Sequence, residues 1–284
     1  MTMDHLRYFF LLALVSMLGV LACDLEQEVD IDLPEYESRV VVECYLEPGQ
    51  PFSLLLSRSL PYFSPFPPLN QEFLENILVD SARVEVFYDG RTYELSNQLF
   101  FNPFTRKLFN YHSPEKVPFD TLSTFQLSIT MPDGQTVLAS AQILPVVKID
   151  SLVVQFNESD TLARVLTYFT DDPDVKNYYR RMFHRSSLDS AAVQDFSVDD
   201  RILEGTAVFG TGYNYAVGDT IISTLFHLSP DYYEFLESLE DAVSSNGNPF
   251  AQPSPIISNL RGTANAMGIF TGISYDRQAI ILRK

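Results

Sequence analysis

Three acidic side chains within four residues of the stretch FTDDPDVKNYYR could bind a calcium ion through their carboxylate oxygens: Asp171, Asp172 and Asp174. Calcium prefers oxygen ligands, and an EF-hand arranges them as D-x-[DN]-x-[DN]-G with a glutamate six residues later. Pro173 and Val175 break that spacing, and clustered Asp and Pro are typical of a turn. The sequence therefore favours a solvated turn over a metal site.

Other residues with catalytic potential are scattered. His112, His184 and His227 are far apart, and no pair has the spacing of zinc ligands. Gly210 and Gly212 lack the third glycine of a dinucleotide-binding loop, and no serine lies in a G-x-S-x-G motif. With 37 acidic residues in the chain, chance carboxylate pairs are inevitable and do not indicate a glycosidase. The sequence predicts no catalytic residue, no metal and no cofactor, and hence a protein that is not an enzyme.

Cys44 lies in RVVVECYLE, an apolar run with the pattern of a strand. A reactive thiol needs a basic, partly open setting, whereas the neighbours here are Glu43 and Glu47. Free cysteine in an apolar run usually behaves as a small buried hydrophobe. We therefore expect Cys44 to be part of the core.

Cys23 is different, because its neighbours indicate covalent modification. The uncharged run Tyr8–Ala22 has the length of a signal-peptide core and is shorter than the roughly 20 residues of a transmembrane helix. It ends in Val20-Leu21-Ala22-Cys23, which resembles a bacterial lipobox, where the chain is cut just before a cysteine that becomes acylated; Leu21 departs from the small residue favoured there. We predict a lipoprotein signal peptide over residues 1–22 and lipidation of Cys23. An uncleaved signal anchor is the alternative.

The residues after Cys23 are strongly acidic. Asp24, Glu26, Glu28, Asp30 and Asp32 repel one another and cannot pack into a core, so residues 23–37 read as a solvated acidic tether. The whole chain has a formal net charge of −18. That charge argues against nucleic acid as a partner and against a protein that lies flat on an anionic leaflet.

Short runs of Val, Ile, Leu, Tyr and Phe between Pro, Gly, Asn and Asp are typical of an all-β protein. The clearest hairpin is ARVEVFYDGRTYELS, where Asp89-Gly90 supplies the two positive-φ residues of a type I′ turn. A second hairpin surrounds Pro132-Asp133-Gly134. We predict an N-terminal immunoglobulin-like β-sandwich over residues 38–145, in architecture only, because the tryptophan and cysteine pair of antibody domains are missing.

A second domain, β-rich and carrying one amphipathic helix, is predicted over residues 146–284, with its boundary at Pro145. The helix is expected near residues 230–245, since Ser229 can cap it, Pro230 suits its first position and Asn246-Gly247 ends it. Its apolar stripe follows helical spacing: Tyr232, Phe235 or Leu236, Leu239 and Val243. The predicted fold class is therefore mainly β with one helix.

Several segments in succession resemble a known family. They are IDLPEYE after the lipobox cysteine, VVVECYLEPGQPFSLLLSRSLPYFSP, and the later KNYYR, VGDTI, YYEFLESLEDAVSSNGNPFAQPSPIISNLRG and GIFTGIS. In this order they are similar to the domain of unknown function 4249 lipoproteins of Bacteroidetes. Cys44 departs from the small residue expected at its position, and RGTANAMGIF is longer than the usual join.

The resemblance implies a location and a class of partner. Acidic residues directly after a lipidated cysteine also resemble the surface-export signals of Bacteroidetes lipoproteins, which implies a lipid-anchored outer-membrane protein at the cell surface. Such lipoproteins accompany TonB-dependent outer-membrane receptors, so such a receptor is the expected partner. The family offers no active-site residues to carry over.

These inferences lead to one functional hypothesis, a non-enzymatic accessory or ligand-capture subunit of a TonB-dependent nutrient transporter. Its contacts are expected from the aromatic loop 61–73 and the crossing 246–262, where prolines reduce the entropic cost of binding. The expected contact residues are Tyr62, Phe63, Phe66, Asn248 and Phe250.

Other interpretations stay open at this point. The loop aromatics, Phe73 among them, could instead fold back over the open end of the sandwich. The protein could be a cell-surface hydrolase acting on glycans, which would require titratable groups gathered in one cleft. It could also be an adhesin or a structural envelope protein.

Overall fold

The computed structural model describes residues 37–60, 68, 70–102, 107–159, 161–202, 205–245 and 254–284. These residues form a mainly β protein with two helices, α1 (Gln71–Ile77) and α2 (Pro230–Ser245). The predicted fold class is confirmed. The strands, in chain order, are β1 (Val40–Leu46), β2 (Pro51–Arg58), β3 (Arg83–Tyr88), β4 (Arg91–Asn102), β5 (Lys107–Lys116), β6 (Thr124–Thr130), β7 (Thr136–Gln142), β8 (Ile149–Phe156), β9 (Ala163–Thr170), β10 (Tyr178–Arg185), β11 (Gln194–Asp199), β12 (Thr206–Gly210), β13 (Thr220–Leu228), β14 (Arg261–Gly262), β15 (Met267–Gly272) and β16 (Ser274–Ile281).

One nine-stranded sheet, in the order β14-β7-β6-β3-β4-β5-β2-β1-β15, builds the first sandwich. The long strand β4 pairs with β3 through its first half and with β5 through its second, so it belongs to both layers. Alternation in β1 explains the packing, because Val42 and Cys44 point inward and are fully buried while Glu43 between them is not. The two layers enclose one apolar core that runs from Val42 and Leu54 to Val84 and Leu127.

The C-terminal part of the chain completes this first sandwich. Strand β15 pairs in parallel with β1 at one edge of the sheet, and the short β14 pairs with β7 at the other edge. Gly268 permits the approach, since its φ is +125° and a Cβ atom there would lie 1.9 Å from the carbonyl oxygen of Val42. Strand pairing thus crosses the boundary placed at Pro145, and the division into two domains stays a prediction.

Two further sheets build the second sandwich, with strand orders β11-β10-β13-β16 and β12-β9-β8. Their shared core contains Phe169 and Phe209 from one sheet and Tyr179 and Leu225 from the other. Strand β16 begins at Ser274, two residues after β15 ends at Gly272, so one extended segment contributes a strand to each sandwich. This segment and the connection around Pro145 join the two sandwiches.

Helix α2 packs where the sandwiches meet. Ser229 caps it as predicted, accepting a hydrogen bond from the backbone N–H of Tyr232 at 3.3 Å. Tyr232 and Phe235 pack against Ile269 of β15 and against strands of the second sandwich. The predicted stripe is wrong in its last turns, because Leu239 and Val243 are exposed.

The structure also differs from the sequence-based expectations in its connections. Helix α1 replaces the end of the loop predicted over 61–73, with Asn70 accepting a hydrogen bond from the N–H of Phe73. Phe73 is buried, as the fold-back interpretation of this loop requires for that residue. The strand after Asp89-Gly90 continues to Asn102, six residues beyond Ser96, where the predicted hairpin stretch ends. Long-range pairing with β5 extends it, and no local pattern reveals that pairing.

Candidate functional site

Every residue selected from the sequence as a site lies outside the described residues. This holds for the lipidation site Cys23 and for the five expected contact residues: Tyr62, Phe63, Phe66, Asn248 and Phe250. The structure describes the residues that flank these segments.

The flanks of the contact segments lie at one end of the first sandwich. Strand β2 runs antiparallel to β1, so Val40 at the start of β1 faces Arg58 at the end of β2. Strand β15 runs parallel to β1, and Ser258 donates a 2.8 Å hydrogen bond to the carbonyl of Gly268 near its start. The loop that begins after Leu60 and the segment that resumes at Ser254 therefore adjoin the same end of this sheet.

Ser38 and Arg39 lie at that same end. Ser38 donates a hydrogen bond to the carbonyl of Ser59 at 3.0 Å, and Arg39 donates to the carbonyl of Ala266 at 3.3 Å. These contacts fix Ser38 and Arg39 beside the end of β2 and the start of β15. The described residues that follow the predicted tether and border both contact segments are thus close together.

A second group of polar residues, here called the junction cluster, connects the two sandwiches; it comprises Glu43, Tyr45, Lys107, Arg180, Asp195 and Tyr232. Lys107 donates to the carboxylate of Glu43 at 2.6 Å and to the hydroxyl of Tyr45 at 3.0 Å. Its ammonium also lies 4.2 Å from the centre of the Tyr45 ring. The start of β5 is thereby held against the outer face of β1.

The second half of the junction cluster continues from Tyr45 through helix α2. The rings of Tyr45 and Tyr232 meet edge to face at 5.9 Å, and Arg180 donates to the Tyr232 hydroxyl at 3.4 Å. Arg180 also forms a bidentate pair with Asp195 at 2.7 and 2.6 Å. Burial raises the pKa of both Tyr45 and Tyr232, so these hydroxyls stay protonated at neutral pH. The charges of the cluster are paired with one another. The contacts of Tyr232 with Tyr45 and Arg180 hold α2 between the sandwiches.

A groove of about 460 Å³ opens on the second sandwich beside the acidic turn, here defined as residues 171–177. Its lining combines acidic and basic side chains: Asp171, Pro173, Asp174, Val175, Lys176, Asp200, Arg201 and Gly205. Such a lining suits a polar ligand better than an apolar one.

The acidic turn behaves as a turn, in line with the interpretation favoured from the sequence. Asp172 accepts a hydrogen bond from the N–H of Asp174 at 3.1 Å, which is the geometry of an Asx turn. Asp171 points inward instead; it is buried and accepts from the Tyr179 hydroxyl at 2.5 Å and from the Asn177 amide at 3.1 Å. Across the described residues, no three His, Cys, Asp or Glu side chains are grouped so that they could hold a metal ion.

A family model for a domain of unknown function, DUF4249, matches residues 26–279. The chain belongs to the DUF4249 family. No curated protein matches it. Among solved structures, a chain described as "Cytokine receptor complex - Crystal form 1A" superposes at a TM-score of 0.25 and 8% identity, over 84% of this chain and 94% of that one. A superposition of that quality supports no inference about fold or function.

The groove of this DUF4249 protein was missed from the sequence because its parts are distant along the chain. Asp171 was visible only as one acid in a turn, and nothing local shows that it is buried beneath Tyr179 and Asn177. Tyr179 of KNYYR fits the pattern of a strand, and no motif around it indicates a binding site. No helix in the part of the chain that the structure describes is long and apolar enough to cross a membrane.

Proposed function

We propose that this DUF4249 protein is a lipid-anchored outer-membrane lipoprotein, exposed at the cell surface, that serves a TonB-dependent nutrient transporter as a non-enzymatic accessory or ligand-capture subunit. The lipid would be carried by Cys23, at the junction of the apolar run and the acidic tether. Acyl chains contribute about 0.8 kcal/mol per buried methylene, and two or more are needed for stable anchoring. The step to a transporter rests on the family resemblance described above and is an analogy.

The observation that carries the proposal is the common location of the described residues that border three chain segments. Ser38, Ser59 and Ser258 adjoin the same end of the first sandwich, beside the start of β1. Ser38 follows the tether, Ser59 precedes the first contact segment and Ser258 lies in the described part of the second. A tether of residues 23–37 spans at most about 50 Å when fully extended. This arrangement supports a contact surface that stays close to the membrane-anchored receptor.

The body behind these segments suits a rigid support. The first sandwich has one continuous apolar core, and α2 with the junction cluster ties the second sandwich to it. A rigid frame reduces the ordering cost of binding, so that loops attached to it can contribute to affinity.

The proposal is tested by affinity capture of the intact protein, tagged at its C-terminus, from native membranes in mild detergent. We expect mass spectrometry to identify a β-barrel receptor with the wild type. The triple variant Tyr62→Ala, Phe63→Ala, Phe66→Ala should stay in the membrane fraction and lose the receptor. Phe87→Ala is the matched control, because Phe87 is an exposed aromatic residue on β3, away from the contact segments.

Two results would contradict the proposal. One is the repeated absence of any barrel protein with the wild type. The other is equal recovery of the receptor by the triple variant and the Phe87→Ala control. A Cys23→Ser variant should be absent from the membrane fraction and should not recover the receptor. Comparison with the triple variant, which stays in the membrane fraction, separates a loss of anchoring from a loss of receptor contact.

A further inference from the structure

His227, on β13, contacts two hydrogen-bond acceptors through its two ring nitrogens. Nδ1 lies 2.8 Å from the carbonyl oxygen of Pro145, and Nε2 lies 3.1 Å from Oδ1 of Asn177. A carbonyl oxygen has no proton to donate, so both contacts require an N–H on the ring. Neutral imidazole carries one N–H and the imidazolium ion carries two.

The orientation of the Asn177 amide is fixed by its other contacts. Its Nδ2 lies 3.1 Å from the Asp171 carboxylate, 3.0 Å from the carbonyl of Val175 and 3.4 Å from that of Asp172. Rotating the amide by half a turn would place its oxygen against three acceptors. Oδ1 therefore faces His227. In either neutral tautomer, one ring nitrogen without a proton faces an oxygen atom, of Pro145 or of Asn177.

We infer that His227 is a proton-dependent clamp, which in its cationic form ties the connection between the two sandwiches to the acidic turn beside the groove. Pro145 belongs to that connection, and Asn177 ends the acidic turn. Loss of the proton leaves one of the two contacts repulsive. The turn or the connection then moves away, and the lining of the groove changes with it.

The groups that face His227 come from several elements. From β10, the Tyr179 ring lies parallel to the imidazole at 5.7 Å, an arrangement that attracts a cation. From the end of β9, the Asp171 carboxylate attracts a positive charge, and Asp200 accepts a hydrogen bond from the N–H of Asn177. From β16, the residue paired with His227 is the uncharged Ser274. Lys148 of the connection is paired with Asp276 at 3.1 Å.

Opposing effects act on the proton. Burial lowers the pKa of His227, while the carbonyl of Pro145 and the charge of Asp171 raise it. Asn177 Oδ1 adds a second fixed acceptor, and a cation that donates two hydrogen bonds is favoured over a neutral ring that faces an acceptor without a proton. Burial is the largest of these effects and holds the pKa of His227 below its ordinary value, so the acceptors limit that lowering without reversing it.

The test is a titration of the intact protein in detergent micelles, with its histidines labelled with ¹³C and followed by NMR. We expect the His227 resonance, identified by its loss in His227→Gln, to titrate as the pH falls. An Asn177→Ala variant removes the second acceptor of the cationic ring and should lower the titration midpoint further. A midpoint that Asn177→Ala leaves unchanged or raises would overturn the inference.

A second readout uses thermal stability. Removing an acceptor of the cationic ring lowers the folded pKa, so its cost in stability is present at low pH, where the ring is charged, and is lost as the pH rises. Asn177→Ala should therefore lower the Tm, relative to the wild type, more at pH 5.5 than at pH 8.5. A difference that grows with rising pH would contradict the clamp even if the variant is poorly folded for NMR.

Discussion

The two sandwiches solve the problem of core packing in different ways. The first encloses a continuous apolar cluster, and the few polar residues buried among its strands, such as Asn110 and Ser113, are uncharged. The second buries ionisable side chains, among them Asp171, Arg181 and His184. Burying an ionisable group costs free energy unless it is paired or hydrogen-bonded. The first sandwich thus has a continuous apolar core, whereas the second has smaller apolar clusters beside buried ionisable side chains.

Arg181 shows how the second sandwich accommodates a buried charge. Its guanidinium lies between the rings of Phe183 and Phe196, at 4.0 and 4.5 Å, and donates to the side-chain oxygen of Gln194 at 2.6 Å. Its Nε and Nη1 have no hydrogen-bond partner within the described parts of the chain. Burial lowers the pKa of Arg181 to about 10. Stacking on aromatic rings thus substitutes for a counter-ion.

The largest expected effect concerns the first sandwich. Gly268→Ala would place a Cβ atom 1.9 Å from the Val42 carbonyl at a φ of +125°, so β15 could no longer pair closely with β1. We expect the free energy of unfolding to fall by about 3 kcal/mol or more, measured by urea denaturation. Gly218→Ala is the control, because its φ is +94° with no atom within 4 Å, and it should cost only about 1 kcal/mol. Equal losses would contradict the close approach of the two strands.

The next effect compares the hydrogen bond of a buried tyrosine with that of a half-buried one. Tyr179→Phe removes the 2.5 Å hydrogen bond to the buried Asp171 and should lower the free energy of unfolding by about 2 kcal/mol. Tyr88→Phe removes a 2.7 Å hydrogen bond to Asp120 in the first sandwich and should change it by less than about 0.5 kcal/mol, because Asp120 remains hydrated. A larger loss of unfolding free energy for Tyr88→Phe than for Tyr179→Phe would contradict the greater importance of the buried hydrogen bond in the second sandwich.

A smaller effect of opposite sign is expected at Arg181. Arg181→Met replaces a buried charge without a carboxylate partner by an apolar side chain and should raise the free energy of unfolding by about 1 kcal/mol. Arg180→Met removes the bidentate pair with Asp195 and should lower it. Chemical denaturation of both variants at pH 7 checks this. Destabilisation by Arg181→Met comparable to that by Arg180→Met would show that the hydrogen bond to Gln194 and the ring contacts outweigh the cost of burying the Arg181 charge.

The smallest expected effect is at Cys44, whose thiol should not react with iodoacetamide in the folded protein. Cys44 is fully buried in the first sandwich, and burial raises the pKa of its thiol to about 12. Its thiolate is therefore scarce and inaccessible at pH 8. Mass spectrometry after treatment with iodoacetamide should find Cys44 unmodified in the folded protein and fully modified in denaturant. Rapid labelling under native conditions would contradict a rigid first core.

Local signals in the sequence predicted local structure well. The Asp89-Gly90 hairpin has positive φ at both residues, 46° and 73°, and α2 begins after its Ser229 cap as expected. Both signals depend on a few adjacent residues whose backbone preferences are strong.

Long-range structure was not predictable in the same way. The parallel pairing of β15 with β1 joins residues more than two hundred positions apart, and no local pattern specifies it. The cluster around Asp171 was missed for the same reason, since Tyr179 and His227 come from different strands. The predicted contact residues and Cys23 are outside the described residues and stay predictions.

The most direct test of the account is the intact mass of the protein isolated from its native membrane. The account predicts a chain that begins at Cys23 and is heavier than its sequence by two or more acyl chains. A product that retains residues 1–22, or one in which Cys23 has a free thiol, would contradict the lipid anchor and remove the physical basis for the transporter proposal.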